Sequence, residues 1–141
     1  SLLPSDKACR KIIQELIDKK KKGAPIASSF QYLNRLLRWP DYNKPILTEP
    51  FDNLRCWAGT LYCNVDTDGS VYPCSLLVGK TKALNYLDVG FKKAFGHTRN
   101  LPCEACDASC FTEYNYLYSL QVRTIIQWLK AMRSSKRYSN A

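Results

Sequence analysis

Regular hydrophobic spacing first runs from about Asp6 to Lys22. The apolar residues of this stretch recur every three or four positions, which places them on one face of a helix. They are Cys9, Ile12, Ile13, Leu16 and Ile17. Gly23 and Pro25 follow, and both residue types end helices. The pattern therefore predicts an amphipathic helix, and we interpret Cys9 as a small residue of its buried face.

A short apolar segment, "APIASS", separates this helix from a second one. Ser28 is suited to cap the second helix, because Gln31 three positions later completes a capping box. This helix is expected to end before Pro40. We expect the apolar segment to be a short strand, since the order helix, strand, helix is typical of an α/β unit. A single strand needs a partner that this part of the sequence does not supply.

The hydrophobic pattern changes after "RWPDYNKPILTEPFDN", whose three prolines indicate a linker. The segments "TLYCNVD" and "SVYPCSLLV" are rich in β-branched and aromatic residues and flank "DTDG". Gly69 supplies the positive φ that a tight turn requires. Asp66 and Asp68 are expected to satisfy backbone groups of that turn rather than to act as paired catalytic carboxylates. A β-hairpin is therefore predicted here.

Three further elements are predicted towards the end of the sequence. The stretch "LNYLDVGFKKAF", from Leu84 to Phe95, indicates a short strand followed by a short helix. Helical spacing of apolar residues returns from about Glu113 to Arg133, which predicts one long C-terminal helix. The tail "SSKRYSNA" is expected to be frayed.

The composition limits the classes of function. The formal net charge is +9, from 21 Lys and Arg against 12 Asp and Glu, and such a charge favours acidic partners. The charge is scattered, however, and the run from Lys19 to Lys22 suits the C-terminal end of a helix, so nucleic acid is not an expected partner. No membrane span and no signal peptide are predicted, and we expect a cytoplasmic protein. The first residue is not methionine, which suggests an excerpt of a longer chain.

Seven cysteines dominate the possible chemistry. An odd number cannot pair completely as disulfides, and in a reducing compartment clustered cysteines more often bind metal. Six of them are close in the sequence: Cys56, Cys63, Cys74, Cys103, Cys106 and Cys110. The C-x2-C pair at Cys103 and Cys106 can hold one centre, and the hairpin brings Cys63 and Cys74 near each other. Two distant segments can thus supply four thiolates.

Spacing alone leaves the metal open. Zinc would take four cysteines and act as a staple, whereas an iron-sulfur cluster accepts irregular spacing such as C-x2-C-x3-C. His97, the single histidine, is expected to face solvent. Aromatic neighbours of the cysteines are expected to shield the metal from water. They are Trp57, Tyr62, Tyr72 and Phe111. A disulfide-held secreted domain is the remaining hypothesis, and the odd cysteine count disfavours it.

One arrangement of these residues resembles a known family. Twelve residues separate a cysteine from a glycine, four more separate that glycine from the next cysteine, and C-x2-C-x3-C follows downstream. The matching positions are Cys56, Gly69, Cys74, Cys103, Cys106 and Cys110. This pattern is similar to the C-terminal SPASM or Twitch region of radical S-adenosylmethionine enzymes. The segment "KKKKGAPIASSFQYLNRLL" likewise resembles the last helix, strand and helix of the βα barrel that precedes that region.

The resemblance implies an auxiliary 4Fe-4S cluster. Cys56 and Cys74 would bind it with help from the downstream cysteines, and Cys63 matches an extra ligand position of some members. A full SPASM pattern continues C-x2-C-x5-C-x3-C and adds one more cysteine, so one cluster rather than two is expected here. The C-x3-C-x2-C motif of the catalytic cluster is absent from the sequence. The chain alone is therefore not expected to be catalytically competent.

We therefore expect an α+β fold, in which a small cysteine-rich domain with a β-hairpin and a long C-terminal helix surrounds a metal cluster. The expected boundaries are 1–39 for the last αβα piece of a βα barrel, 40–55 for a linker, 56–112 for the cluster-binding domain and 113–141 for the C-terminal helix and tail.

The expected function is that of an auxiliary-cluster module serving electron transfer, substrate positioning or structural support. Its partners would be the rest of the barrel, which would bind S-adenosylmethionine, and the peptide or small-molecule substrate of the parent enzyme. The alternative is a zinc-stapled module for an acidic partner or nucleic acid.

Overall fold

The computed structural model of the chain describes residues 4–135, with side chains as far as residue 130. The fold is α+β, as predicted. The helices are α1 (Asp6–Lys21), α2 (Phe30–Leu37), α3 (Tyr86–Val89), α4 (Phe91–His97), α5 (Ser109–Tyr118) and α6 (Val122–Ser135). The strands are β1 (Ile46–Leu47), β2 (Asn64–Val65), β3 (Ser70–Tyr72), β4 (Leu84–Asn85) and β5 (Ala105–Cys106), with a 3-10 turn at Ser75–Leu77. Across residues 4–135, no helix combines the length and apolar character needed to cross a membrane.

The first predicted helix is confirmed. The Ser5 hydroxyl caps α1 by accepting a hydrogen bond from the backbone N–H of Ala8 at 3.3 Å. Ile13 and Ile17 are buried, as the hydrophobic spacing predicts, whereas Ile12, which the same spacing places on that face, is 55% exposed. Cys9 is half-buried, at the edge of the buried face rather than within it.

The second helix begins one residue later than predicted, and no strand precedes it. Residues 24–28 are not in a strand, which corrects the predicted order helix, strand, helix. The reason is that a strand forms only by pairing, and no described strand pairs with this segment. Ser29, not Ser28, caps α2, since its hydroxyl accepts from the N–H of Tyr32 at 3.0 Å. The Ser29 N–H is itself bound by the Glu113 carboxylate at 2.6 Å.

The two N-terminal helices and α5 share a hydrophobic core. Its buried members are Ile13, Ile17, Tyr32, Leu33, Leu54 and Tyr116. Because these residues come from α1, α2, the loop after β1 and α5, the core ties both ends of the described chain to its middle. The Tyr32 hydroxyl adds a tie by donating to the backbone carbonyl of Asp107 at 2.8 Å.

The predicted hairpin is confirmed and is part of a three-stranded antiparallel sheet in the order β2-β3-β4. Val71 of β3 is fully buried and lies opposite Val65 on one side and Leu84 on the other. Gly69 has φ +89° in the turn, and the Asp68 carboxylate accepts the backbone N–H of Ser70 at 2.8 Å. The aspartate of the turn therefore satisfies a backbone donor, as expected.

A second, two-stranded sheet was not predicted. The strand β1, inside the predicted linker, pairs antiparallel with β5, so that Ile46 lies opposite Cys106. The backbone N–H of Glu104 donates to Leu47 O at 2.9 Å and that of Asp107 to Pro45 O at 3.1 Å. This pairing fixes the segment that carries the C-x2-C pair.

The single C-terminal helix predicted over Glu113 to Arg133 is wrong, because two helices occupy this region. Leu120 adopts φ +53°, a left-handed conformation that no α-helix contains, and it separates α5 from α6. The break lets α6 fold back on α2, where the Gln127 side chain accepts the N–H of Phe30 at 2.9 Å. The last part of the predicted tail, residues 136–141, lies outside the described residues.

Candidate metal centre

Four of the six predicted ligands line one small cavity: Cys56, Cys74, Cys103 and Cys106. Most of the other lining residues are apolar or aromatic, namely Ile46, Leu54, Ala58, Tyr62, Leu76, Leu77, Leu101, Ala105 and Phe111. The remaining four are polar or charged: Arg35, Glu104, Thr112 and Asn115. The cavity has a volume of about 20 Å³. That volume holds about one water molecule, so the space between the lining side chains is nearly filled.

Two of these cysteines come from the segment around the hairpin. Cys56 precedes a tight loop, which is fixed at Trp57 because the backbone N–H of that residue donates to the Asn115 side chain of α5 at 2.9 Å. Cys74 ends the hairpin and begins the 3-10 turn, in which its carbonyl accepts the N–H of Leu77 at 3.2 Å. Cys74 is 8% exposed. The hairpin thus carries Cys74 into the interior.

The other two cysteines come from the second cysteine-rich segment. Cys106 lies in β5, where pairing with β1 holds its backbone opposite Ile46. Its carbonyl also accepts the Thr112 hydroxyl at 3.3 Å, which joins the strand to the first turns of α5. Cys103 lies just before the strand and packs against the apolar cluster of Ala58, Cys74 and Leu77.

Burial raises the pKa of three of the lining thiols, Cys74, Cys103 and Cys106. Desolvation, with smaller contributions from neighbouring cysteines, raises the pKa of Cys103 to about 11. The same causes raise the pKa of Cys106 to about 12, against a hydrogen bond that acts in the other direction. Desolvation also raises the pKa of Cys74. A metal that binds here must therefore displace the thiol protons. The positive charge of the metal would then offset the cost of burying the negatively charged thiolates.

Cys63 and Cys110 do not line the cavity. Cys63 is half-buried just before β2, and desolvation alone raises the pKa of its thiol. Cys110 is exposed in the first turn of α5, although its charge would reach Cys74. The antiparallel register, with Asn64 opposite Tyr72, puts Cys63 and Cys74 at the same end of the hairpin, but of these two only Cys74 lines the cavity.

The thiols are not arranged around a single point. Within residues 4–135, no three histidine, cysteine, aspartate or glutamate side chains are grouped so that they could hold one metal ion. His97 is the last residue of α4 and is exposed, as expected. Any metal group at the cavity would have to draw its ligands from the four lining thiols, with rotation of their side chains.

Two of the four predicted shielding aromatics cover the cavity. The rings of Tyr62 and Phe111 stack with centroids 5.8 Å apart and both line it. Burial, and secondarily Cys56, raises the pKa of Tyr62 far above its usual value. Trp57 points elsewhere, with its indole N–H donating to the Ser119 hydroxyl at 3.1 Å.

Two charged residues that the sequence did not point to line the cavity, Glu104 and the buried Arg35 of α2. The Arg35 side chain is 3% exposed and forms an ion pair with Asp52. On α2, Arg35 lies three residues after Tyr32, and both residues are buried on the same side of the helix.

Comparisons with known proteins add no relative, because the chain matches no family model, no curated protein and no solved structure. The site is therefore interpreted from its own geometry and chemistry.

Proposed function

We propose that this chain is an auxiliary iron-sulfur module, in which Cys56, Cys74, Cys103 and Cys106 hold one 4Fe-4S cluster. The observation that carries the proposal is the convergence of these four thiols, from two segments far apart in the sequence, on one mostly apolar cavity. Four cysteines are the usual ligand set of such a cluster. A low-polarity surrounding with few competing ligands suits it as well.

The size of the cavity sets a condition on the proposal. A space of about 20 Å³ is far smaller than a cluster, so the thiol side chains would have to turn outward on binding. Leu76 and Leu101, which also line the cavity, are only half-buried. The two-residue pairing of β1 with β5 is also a weak constraint on Cys106.

An open groove offers a way in for iron and sulfide. It has a volume of about 430 Å³ and shares Cys56 and Cys103 with the cavity. Arg55 and Arg99 lie along the groove. Assembly could therefore begin at these two cysteines, which border solvent-accessible space, and finish at Cys74 and Cys106.

The ligand number bears on the role of the cluster. When bound, a 4Fe-4S cluster supplies one-electron transfer at a potential set by its surroundings. Four protein thiolates leave no iron position for a substrate, so electron transfer or structural support fits the site better than substrate positioning. We further propose, from the sequence resemblance, that a barrel carrying the S-adenosylmethionine-binding cluster belongs to the same polypeptide.

Anaerobic reconstitution with iron and sulfide tests the proposal. We expect about four iron and four sulfide per chain, and a broad charge-transfer absorption in the visible range. Serine substitution at Cys56, Cys74, Cys103 or Cys106 is expected to lower the iron content. Protein purified without added iron that holds zinc and excludes iron would contradict the proposal and favour the zinc-stapled alternative.

The chain supplies its own matched controls. Cys9→Ser and Cys63→Ser remove thiols of similar burial that do not line the cavity, and both variants should keep the full iron content. Cys110→Ser is a more demanding control, because a charge on Cys110 raises the pKa of Cys74 although Cys110 does not line the cavity. This variant should also keep its iron. Loss of iron in the Cys63 variant equal to that in the Cys106 variant would refute the ligand assignment.

A further inference from the structure

The open groove beside the cysteine cavity contains two arginines without an acidic partner. The groove has a volume of about 430 Å³, and Arg55 and Arg99 are among its lining residues. Within the described residues, neither arginine forms an ion pair with a carboxylate. Sites for small molecules commonly have volumes of about 300–1,000 Å³. The groove is therefore large enough for a small ligand.

The guanidinium of Arg55 is held in place by an aromatic ring. It lies over the ring of Trp57, 4.0 Å from the ring centroid. Trp57 is itself fixed, because its backbone N–H donates to the Asn115 side chain at 2.9 Å and its indole N–H donates to the Ser119 hydroxyl at 3.1 Å. An aromatic ring has no net charge, so this contact leaves the positive charge of Arg55 uncompensated.

Arg99 supplies the second positive charge of the groove. It follows Thr98, which is 3% exposed and whose hydroxyl donates to the carbonyl of Phe95 at 2.7 Å, so its backbone is anchored at the end of α4. Glu104 is the acidic residue of the groove. Two arginines and one glutamate give the groove one net positive charge. It therefore favours a ligand that carries more carboxylates than ammonium groups.

Two thiols line the same groove. Cys56 and Cys103 are half-buried and line both the groove and the cavity, whereas the other two cavity cysteines do not line the groove. Cys56 directly follows Arg55 in the sequence, and Cys103 directly precedes Glu104. The positive charge of Arg55 attracts an anionic reagent to Cys56, while Glu104 repels it from Cys103.

We infer that the groove binds a small anionic thiol of the glutathione class, which forms a mixed disulfide with Cys56. A thiol of this class carries two carboxylates and one ammonium group, which match the two arginines and the glutamate of the groove. The inference concerns the metal-free chain and does not depend on the proposed cluster. A modified Cys56 cannot act as a metal ligand, so the mixed disulfide and a cluster exclude each other.

Thiol–disulfide exchange with glutathione disulfide forms this bond. The Cys56 thiolate attacks one sulfur of the reagent, so that a new S–S bond forms and the S–S bond of the reagent breaks. The second glutathione leaves as a thiolate and takes up a proton, which replaces the one that Cys56 released to solvent. One thiol and one disulfide are consumed and one of each is formed, so no further oxidant is needed.

Disulfide reagents of different charge test the inference. The whole metal-free chain is treated with glutathione disulfide, with neutral hydroxyethyl disulfide or with cationic cystamine, and the modified cysteines are mapped over time by peptide mass spectrometry. Glutathione disulfide is expected to modify Cys56 before Cys110, although Cys110 is the more exposed thiol. The neutral and cationic reagents should modify Cys110 first.

Charge variants identify the cause of that preference. Arg55→Gln and Arg99→Gln should each slow the modification of Cys56 by glutathione disulfide by about three- to tenfold at low salt, and should leave the rate with the neutral disulfide unchanged. Arg38→Gln is the control, because this exposed arginine lines a different groove, and it should change neither rate.

Three results would overturn the inference. The first is that glutathione disulfide modifies Cys110 before Cys56. The second is that the neutral reagent prefers Cys56 to the same degree, since accessibility rather than charge would then select this thiol. The third is an unchanged rate with glutathione disulfide in both arginine variants. None of these measurements involves iron, so a chain that takes up no iron refutes the proposed function and leaves this inference standing.

Discussion

Gly59 lies where a side chain would collide with the backbone of Thr98. It is buried, has φ +70°, and follows Ala58, which lines the cysteine cavity. A Cβ atom built on Gly59 would lie 2.2 Å from the backbone oxygen of Thr98, at the end of α4. Because Thr98 is 3% exposed and this oxygen belongs to its backbone, it has little freedom to move. Gly59→Ala is therefore expected to destabilise the protein through a clash as well as through backbone strain.

Gly79 offers a matched control. It also has φ +70°, but a Cβ at this position meets nothing within 4 Å. Left-handed backbone costs a residue with a side chain about 1–2 kcal/mol, and the loss of unfolded-state freedom returns about 0.4–1 kcal/mol of that. We thus expect Gly79→Ala to lower the free energy of unfolding by about 1 kcal/mol. Overpacking against Thr98 should add about 1–3 kcal/mol in Gly59→Ala.

Urea denaturation of the metal-free variants measures this difference. With a slope of about 1–3 kcal/mol per molar urea, the midpoint of Gly59→Ala should lie about 1 M below that of Gly79→Ala. After anaerobic reconstitution, Gly59→Ala should also hold less iron, since its loop carries Cys56 three residues earlier. Equal midpoints for the two variants would refute the close contact between the loop and α4.

Three further outcomes are expected. Glu113→Ala should lower the free energy of unfolding by about 2–3 kcal/mol in the same assay, because the buried carboxylate accepts from the Ser29 N–H and from the Trp128 indole at 3.2 Å. Metal-free protein should lose about 1.4 kcal/mol of stability between pH 8 and pH 10 from Cys106, whose pKa of about 12 exceeds the usual 9.0. The unfolded thiol ionises first, so this contribution is complete below pH 9 and disappears as the pH approaches 12. Leu120→Gly should stabilise the protein by about 0.5–1 kcal/mol, since the residue is 75% exposed and has φ +53°.

Each of these outcomes has a control. Glu15, an exposed residue of α1, should tolerate alanine with little loss, so an equal effect would contradict the capping role of Glu113. Cys106→Ala should remove the pH-dependent loss assigned to that thiol, and a slope unchanged from wild type would refute the assignment. Leu120→Ala keeps the strained φ and should not stabilise as glycine does.

The sequence alone was sufficient to predict the elements whose conformation is determined by their own residues. The hairpin follows from Asp68 and Gly69, because one satisfies a turn donor and the other adopts a positive φ without strain. The first helix follows from its apolar spacing and its glycine stop. These elements depend little on distant parts of the chain.

Elements formed by tertiary contact were not predictable in this way. No glycine or proline marks the break at Leu120, and the docking of Gln127 against Phe30 compensates for its strained backbone. The pairing of β1 with β5 involves two residues on each strand, which is too short for any periodicity. The cysteine spacing identified candidate ligands but did not show which of them line one cavity, because the position of Cys106 depends on the pairing of its strand opposite Ile46.

The cysteine-lined half of the protein has little else to hold it together. Its buried apolar cluster consists of Ala58, Cys74 and Leu77, and its strands are two or three residues long. Clusters and strands of this size contribute little stability alone, and small folds of this kind commonly rely on a metal or disulfides. The core around α1 and α2 is larger and reaches this half chiefly through α5, whose Asn115 accepts the N–H of Trp57. A cluster bound by thiols from both cysteine segments would join them directly, so the same four ligands would supply both the redox site and the stability that the small core lacks.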